Sequence, residues 1–302
     1  MVRILASDGM EKSAAEKLTG MGFEVVQQFY EPDELKEQVK QFDVLIVRSA
    51  TKVREPIIDA ALETGRLKLI IRGGVGIDNI DAVYARSKGI AVKNTPTASS
   101  ASVAELAIGH MFCLARHLHK SNVTMRQGKW EKKKYVGIEL AGKTLGLIGL
   151  GRIGRVTAEK ASALGMNVIY TDILGHKPEN DPFAFVTLDE LIKTADFISL
   201  HMPKAEKPVL GKDEIAAMKD GVYLVNTSRG NLICEGALLE ALDSGKVAGA
   251  ALDVFAEEPT KNEPLYTHPL ISLTPHIGAS TGEAQERIGD ETVAHILEQF
   301  PV

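Results

Sequence analysis

The sequence predicts an α/β protein with two doubly wound domains, each built around a parallel β-sheet. Three observations predict this architecture. The chain has 302 residues, close to the size at which one hydrophobic core stops growing and chains divide into domains. Hydrophobic residues make up 44% and charged residues 25%, which is ordinary for a globular protein. Short apolar runs alternate with amphipathic segments along the whole chain, which is typical of βαβ units.

The first third of the chain predicts one small α/β domain. Its apolar runs are short and bounded by polar residues, so we expect five strands, at residues 2–7, 23–28, 43–48, 67–72 and 90–94. Apolar residues at helical spacing predict helices between them, at residues 11–19, 33–41 and 54–64.

A long helical pattern at residues 98–121 follows Pro96 and leads towards the second βα series, which begins at Lys143. In that series we expect six strands, at residues 144–150, 167–171, 197–201, 222–226, 249–254 and 271–274. Six strands with intervening helices suffice for a nucleotide-binding domain. The last segment, residues 280–300, has helical spacing and is expected to pack back on the first domain.

Charge and cysteine usage narrow the classes of function. The formal net charge of −5 gives no positive field for nucleic acid or an anionic membrane. The two cysteines, Cys113 and Cys234, have no His or Cys at metal-ligand spacing, so we expect neither a metal site nor a disulfide framework. No apolar run reaches the ~18 residues of a membrane helix, and the first residues lack a signal-peptide core. We therefore expect a cytoplasmic protein whose partner is a small molecule.

A glycine turn stands between a predicted strand and a predicted helix. It consists of Gly149, Gly151, Arg152, Ile153 and Gly154. In a dinucleotide site the first glycine allows a tight turn, the second admits the pyrophosphate, and the third lets helix and strand pack closely. The pyrophosphate then meets the N-terminus of the helix.

An acidic residue after the next strand distinguishes a dinucleotide site from an ordinary strand–helix turn. Asp172 lies 172 − 154 = 18 positions beyond the third glycine, where a carboxylate accepts the ribose hydroxyls. The same carboxylate repels a 2′-phosphate, so the sequence favours NAD over NADP. His176 and Lys177 are nearby cationic groups that leave NADP open.

Reactive side chains follow three later strands, at the sheet edge where ligands of α/β proteins bind. Arg229 can hold a substrate carboxylate by two hydrogen bonds, unless it forms a surface salt bridge. His276 lies between a proline and a glycine turn, and histidine is the residue type most often used as a general base. Glu257 and Glu258 are both available to orient that imidazole, and reasoning from the residues leaves the choice open; both could also be solvated acids in a turn.

The glycine turn and the three strand-end segments together resemble the D-isomer-specific 2-hydroxyacid dehydrogenases. The resemblance implies a Rossmann NAD domain at residues 98–277, inserted into a flavodoxin-like substrate domain at residues 1–97 and 278–302, usually as a homodimer. It implies a catalytic set of Arg229, Glu258 and His276. It also implies that NAD contacts Gly149, Gly151, Arg152, Ile153, Gly154, Asp172, His201, Pro203, Thr227, Ser228, Asp253, Gly278 and Ala279.

Two segments of the first domain, residues 47–51 and 72–81, resemble the phosphoglycerate dehydrogenases within that family. Arg48 and Arg72 both close predicted strands of one sheet and are a suitable pair for a phosphate, unless each forms its own salt bridge. The expected substrate residues are Arg48, Ser49, Arg72, Gly73, Gly74 and Val75. The resemblance then implies NAD-dependent oxidation of D-3-phosphoglycerate to 3-phosphohydroxypyruvate, a step of serine biosynthesis.

Two alternatives remain open at this point. One is another enzyme of the family, such as a glyoxylate or hydroxypyruvate reductase, which needs no phosphate site. The other is an NAD-sensing binding protein like the transcriptional corepressors that share the architecture. Because the chain ends two residues after Phe300, we expect no C-terminal serine-binding regulatory domain and no allostery of that kind.

Overall fold

A computed structural model describes residues 1–176 and 182–302, so Lys177 lies outside the described residues. The chain divides into two compact units. Met1–Ser99 and Ala279–Val302 form the terminal unit, and Ser100–Gly278 forms the central unit. Two parallel-sheet α/β domains are therefore confirmed, and each unit is described separately.

The terminal unit begins with five strands and four helices. They are β1 (Arg3–Ala6), α1 (Lys12–Gly20), β2 (Glu24–Gln27), α2 (Pro32–Gln38), β3 (Val44–Val47), α3 (Glu55–Leu62), β4 (Leu69–Arg72), α4 (Ala82–Ser87) and β5 (Ala91–Asn94). The sheet has the order β2-β1-β3-β4-β5, and every pairing is parallel. This is the flavodoxin-like order.

The three central strands of the terminal unit, β1, β3 and β4, are buried on both faces. All four residues of β3, a Val-Leu-Ile-Val run, are buried, as expected of a central strand between two helix layers. Successive side chains of a strand point to opposite faces. Accordingly Leu5 and Leu45 belong to one hydrophobic cluster, whereas Ile4 and Ile46 belong to another.

The central unit contains the remaining strands. Its elements are α5 (Ser100–Ala115), α6 (Leu118–Arg126), β6 (Thr144–Ile148), α7 (Arg152–Ala163), β7 (Asn167–Thr171), β8 (Ala184–Phe185), α8 (Leu188–Thr194), β9 (Phe197–Leu200), α9 (Lys212–Ala217), β10 (Val222–Asn226), α10 (Glu235–Asp243), β11 (Val247–Leu252), α11 (Glu263–Tyr266) and β12 (Ile271–Leu273). The parallel sheet has the order β12-β11-β10-β9-β6-β7-β8. Strand order reverses at β6 and β9, and Rossmann folds bind dinucleotides at the carboxyl ends of the strands at such a point.

The chain returns to the terminal unit in one long helix, α12 (Gly282–Gln299). The Thr281 side chain caps its start by accepting the N–H of Ala284 at 3.1 Å. Val293 and Ile296 are buried in the hydrophobic cluster that contains Ile4. The helix therefore covers one face of the terminal sheet.

The structure corrects several element predictions. The helix expected at residues 98–121 is two helices, because His117 adopts a left-handed backbone conformation with φ 54° and interrupts it. The helix expected at 33–41 ends at Gln38 and continues as a 3-10 turn. Helix α4 and the two-residue strand β8 were not expected, because each is too short for a periodic pattern. No helix within the described ranges is long and apolar enough to cross a membrane.

Candidate active site

The glycine turn lies at the carboxyl end of β6 and is closely packed. Gly149 has φ 96°, a conformation that favours glycine, and its N–H donates to the Thr171 carbonyl at 2.8 Å. A Cβ at Gly149 would overlap the carbonyl of His201, and a Cβ at Gly154 would overlap the carbonyl oxygen of Gly149. The first and third glycines are therefore required by the packing of strand, turn and helix.

The second glycine leaves open space at the N-terminus of α7. Gly151 is the N-cap residue, no side chain of the described residues caps the helix there, and a Cβ at this position would meet nothing within 4 Å. Arg152 is exposed and Ile153 partly buried in the first turn. The first backbone N–H groups of a helix and its dipole favour an anion, so a dinucleotide pyrophosphate fits this end.

The Asp172 carboxylate lies beside the glycine turn. Its Oδ2 accepts the N–H of Leu150 at 2.9 Å, and its Oδ1 accepts the N–H of Leu174 at 2.9 Å. Each carboxylate oxygen accepts two or more hydrogen bonds, so acceptor sites are left for ribose hydroxyls. The acid therefore lies next to the residue that follows Gly149, with acceptor capacity left over.

Two buried polar atoms near the ends of β9 and β10 have no hydrogen-bond partner among the described residues. They are Nδ1 of His201 and Oγ1 of Thr227. Burial without a partner is costly for such atoms unless a ligand or water supplies one. Pro203 is exposed after β9, and the Ser228 hydroxyl donates to Asn226 Oδ1 at 3.0 Å. The unpartnered atoms and the open helix end together fit a bound dinucleotide.

His276 and Glu258 form a direct pair. Nδ1 of His276 lies 2.7 Å from Oε2 of Glu258, and each side chain is 36% exposed. Partial burial would raise the pKa of Glu258, but the His276 hydrogen bond and charge, the Phe255 N–H and the Arg229 charge outweigh it and lower that pKa. Glu257 is exposed and instead pairs with Lys261 at 2.8 Å.

The Arg229 side chain belongs to the same site. Its Nη1 donates to the Ser228 carbonyl at 2.6 Å, and Asn226 holds its backbone carbonyl at 2.8 Å. The positive charge of Arg229 also acts on Glu258. The structure therefore brings the three predicted catalytic residues together at the ends of β10, β11 and β12.

Asp253 organises the loop that carries His276. It is fully buried, and its Oδ1 accepts the Thr274 hydroxyl at 2.6 Å and the Ile277 N–H at 2.8 Å. Its Oδ2 accepts the Gly278 N–H at 2.9 Å. The His276 N–H donates to the Asp253 carbonyl at 2.8 Å, and His276 has φ 53°. Sequence reasoning expected Asp253 at the cofactor and did not find this role.

Gly278 ends the central unit, and the partly buried Ala279 begins the second segment of the terminal unit.

Arg48 follows β3 directly and Arg72 ends the neighbouring β4, in the register that pairs Val47 with Arg72. Partial burial lowers the pKa of the Arg48 guanidinium, against the attraction of Asp8. No described residue gives that guanidinium a hydrogen bond or ion pair. The Arg72 guanidinium lies against Gly74, where a Cβ would overlap it.

Two residues that sequence reasoning missed hold the loop after β3. Asp8 Oδ2 accepts the N–H of Arg48 at 2.6 Å and of Thr51 at 3.0 Å. Asn79 Nδ2 donates to the carbonyls of the same two residues at 2.7 Å. Asp8 follows β1, which neighbours β3 in the sheet, and that adjacency is the signal that could have found it. Ser49 is exposed in this loop, as is Val75 beyond Gly73 and Gly74.

Among the residues with described positions, no group of His, Cys, Asp or Glu is arranged to hold a metal ion.

The family model for the D-isomer specific 2-hydroxyacid dehydrogenase NAD binding domain matches residues 108–278. The chain belongs to the D-isomer-specific 2-hydroxyacid dehydrogenase family. It is an oxidoreductase, and its central unit carries the NAD-binding domain of that family.

Two relatives align with nearly all of this chain. The hydroxypyruvate reductase of Thermotoga maritima is 48% identical over 309 aligned positions, which cover 99% of each chain. The D-3-phosphoglycerate dehydrogenase of Methanocaldococcus jannaschii is 46% identical over 96% of this chain, which spans only 56% of that relative. A solved structure of a Thermus thermophilus protein superposes with a TM-score of 0.90 at 34% identity, covering 99% of this chain and 97% of that one.

Proposed function

We propose that the protein oxidises D-3-phosphoglycerate to 3-phosphohydroxypyruvate with NAD, as a step of serine biosynthesis. In this proposal the terminal unit is the substrate domain and the central unit is the nucleotide domain. The observation that carries the choice of substrate is the Arg48 guanidinium, which is half-buried and has no hydrogen-bond partner among the described residues. Arg72 ends the neighbouring strand. Two guanidinium groups at one sheet edge suit a phosphate dianion.

Different residues of the central unit have different roles in the proposed reaction. His276 Nδ1 faces Glu258, so Nε2 is the nitrogen that takes the hydroxyl proton of the substrate. The Glu258 carboxylate stabilises the imidazolium that results. Arg229 binds the substrate carboxylate next to the reacting carbon. NAD, when bound, supplies the acceptor for the hydride that leaves C2.

The residues proposed to hold NAD are those whose geometry fits it. The open N-terminus at Gly151 takes the pyrophosphate, and Asp172 takes the ribose hydroxyls. His201 and Thr227 offer buried polar atoms to the rest of the cofactor.

Steady-state oxidation of D-3-phosphoglycerate and of D-glycerate, followed by NADH absorbance, tests the proposed substrate. Arg48→Ala should lower kcat/KM for the phosphorylated acid by about ten- to a hundredfold, the worth of one charge-assisted hydrogen bond, and change D-glycerate by less than about twofold. The control is Arg54→Ala, because Arg54 is an exposed arginine of the same unit paired with Asp81 at 2.8 Å. Equal losses for both acids would refute a phosphate contact at Arg48.

A second candidate is a hydroxypyruvate reductase, favoured by the Thermotoga maritima relative that matches along its whole length. This candidate uses the same catalytic residues and needs no phosphate site. It predicts that hydroxypyruvate is reduced with a higher kcat/KM than its phosphorylated form, and that Arg48→Ala leaves that value unchanged.

We further propose a cytoplasmic homodimer. No residue of α6 is buried, and apolar side chains there and in the following segment are exposed, namely Leu118, Val123, Met125, Trp130 and Val136. Exposed apolar residues clustered in this way favour a protein interface. Light scattering should give twice the 32.6 kDa chain mass, and Val123→Asp should lower it. A wild-type mass of one chain would refute the dimer.

A further inference from the structure

A chain of hydrogen bonds runs inside the central unit from α5 to the loop after β12, and the chemistry proposed above does not use it. It begins at His110 on α5, which is 3% exposed. His110 Nε2 lies 3.0 Å from Thr274 Oγ1, and that hydroxyl donates to Asp253 Oδ1 at 2.6 Å. Asp253 in turn accepts the N–H groups of Ile277 and Gly278. A buried histidine is thus linked to the backbone of the two residues that follow His276.

The partners determine where the hydrogens lie. A carboxylate only accepts hydrogen bonds, so the single hydroxyl hydrogen of Thr274 points to Asp253. Thr274 Oγ1 can then only accept from His110, so Nε2 of His110 carries a hydrogen. Burial, against the attraction of Asp253, lowers the pKa of His110, so the ring is neutral at pH 7 and Nδ1 has no hydrogen.

The other side of the ring faces Ser272. His110 Nδ1 lies 3.4 Å from the Ser272 hydroxyl, which donates to Cys113 Sγ at 3.3 Å. Cys113 Sγ lies 3.6 Å from His119 Nδ1, and His119 Nε2 lies 3.3 Å from the Pro269 carbonyl oxygen. Since a carbonyl only accepts, His119 carries its hydrogen on Nε2 and accepts from the thiol. The single Ser272 hydrogen therefore points to Cys113 Sγ, and the tautomer of His110 is determined by Thr274.

We propose that His110 is a positioning residue for His276, acting through the hydroxyl of Thr274. The inference rests on the proposed catalytic role of His276. That residue has a left-handed φ of 53°, a conformation that residues with a Cβ keep only when their surroundings hold them there. Its N–H donates to the carbonyl of Asp253, whose carboxylate also holds the next two N–H groups. The Nε2–H of His110 donates to the Thr274 hydroxyl, and this bond orients the hydroxyl hydrogen towards the Asp253 carboxylate.

Two substitutions of His110 test the role. His110→Met keeps a similar volume and removes the donor, whereas His110→Gln places an N–H close to the original Nε2. Loss of one hydrogen bond predicts that His110→Met lowers kcat by up to about tenfold, with KM values changed by less than about twofold. His110→Gln should recover kcat to within about threefold of the wild type. A histidine that only fills the core would instead lower Tm and leave kcat unchanged in both variants.

A double-mutant cycle with Thr274→Val tests the route of the coupling. This substitution removes the hydroxyl and should lower kcat by the same factor as His110→Met. The double variant should be no slower than either single variant, because both break one link. If kcat of the double variant fell by the product of the two single-variant factors, the proposed route through Thr274 would be wrong.

The tautomer is measurable without turnover. Spectra of ¹⁵N-histidine-labelled protein, with no nucleotide added, should show His110 protonated at Nε2 and not at Nδ1; His110→Met identifies the signal. An Nδ1–H form would overturn the inference. His276→Gln separates the two proposals. If it retains turnover, the proposed role of His276 fails. If it is inactive while His110→Met turns over like the wild type, only the positioning role fails.

Discussion

The buried imidazole of His201 has a measurable consequence for stability. Its Nε2 lies 2.9 Å from the Ser199 hydroxyl, and its Nδ1 is enclosed without a partner among the described residues. Burial lowers the pKa of His201 from 6.5 to about 4. The native protein therefore keeps this ring neutral at pH values where the unfolded chain would protonate it.

The sign and size of the effect follow from proton linkage. Below pH 6.5 the unfolded chain binds a proton at this position, whereas the folded chain binds it only near pH 4. The contribution to stability is complete above 6.5 and is lost as the pH falls towards 4. At 1.36 kcal/mol per pKa unit, this residue removes about 2 kcal/mol between pH 7 and pH 5.

Urea unfolding at pH 7 and pH 5 measures this loss. The His201→Gln variant cannot take up the proton, so its free energy of unfolding should fall between the two pH values by about 2 kcal/mol less than that of the wild type. Ser199→Ala is the matched control, because it loses the hydroxyl contact and keeps the imidazole; it should retain the wild-type pH dependence. If His201→Gln and the wild type lose equal stability, burial does not keep this ring neutral and the reasoning is wrong.

Three further predictions concern the cofactor and the catalytic pair. Gly154→Ala introduces a Cβ that overlaps a carbonyl oxygen of the glycine turn, and should weaken NADH binding by about tenfold or more in a fluorescence titration; unchanged affinity would contradict the packing argument. Asp172→Asn removes the negative charge beside that turn, and should reduce the ratio of kcat/KM for NAD to that for NADP; a constant ratio would show that the charge does not select the cofactor. Glu258→Gln removes the charge 2.7 Å from the imidazole and should lower kcat by about tenfold, whereas the exposed neighbour Glu257→Gln should change it by less than about twofold; equal effects would refute the pairing.

The sequence predicts the central strands of both sheets well because these strands are mostly apolar runs. β3 and β9 are buried at every position, so burial alone marks them. The elements it misses lack that signal. β8 has two residues, and the break between α5 and α6 lies at His117, which has the left-handed conformation without being glycine.

The candidate site likewise contains residues that a sequence pattern reveals and residues that no such pattern reveals. The glycine turn and Asp172 have a fixed spacing along the chain, so sequence reasoning finds them. The choice of Glu258 over Glu257 depended on the family resemblance, because neighbouring carboxylates in a turn differ only in direction. Asp8 and His110 act across the fold on residues 40 and 164 positions away, and no local pattern reports such contacts.

The way α12 closes the terminal unit sets an order for synthesis on the ribosome. The apolar face that contains Ile4 and Ile71 is covered by Val293 and Ile296, which are translated after the whole of the central unit. The segment from Ser100 to Gly278 has its own hydrophobic clusters and emerges before α12 exists. The nascent chain therefore exposes this face of β1 and β4 until α12 has been translated, and chaperones have that interval in which to bind it.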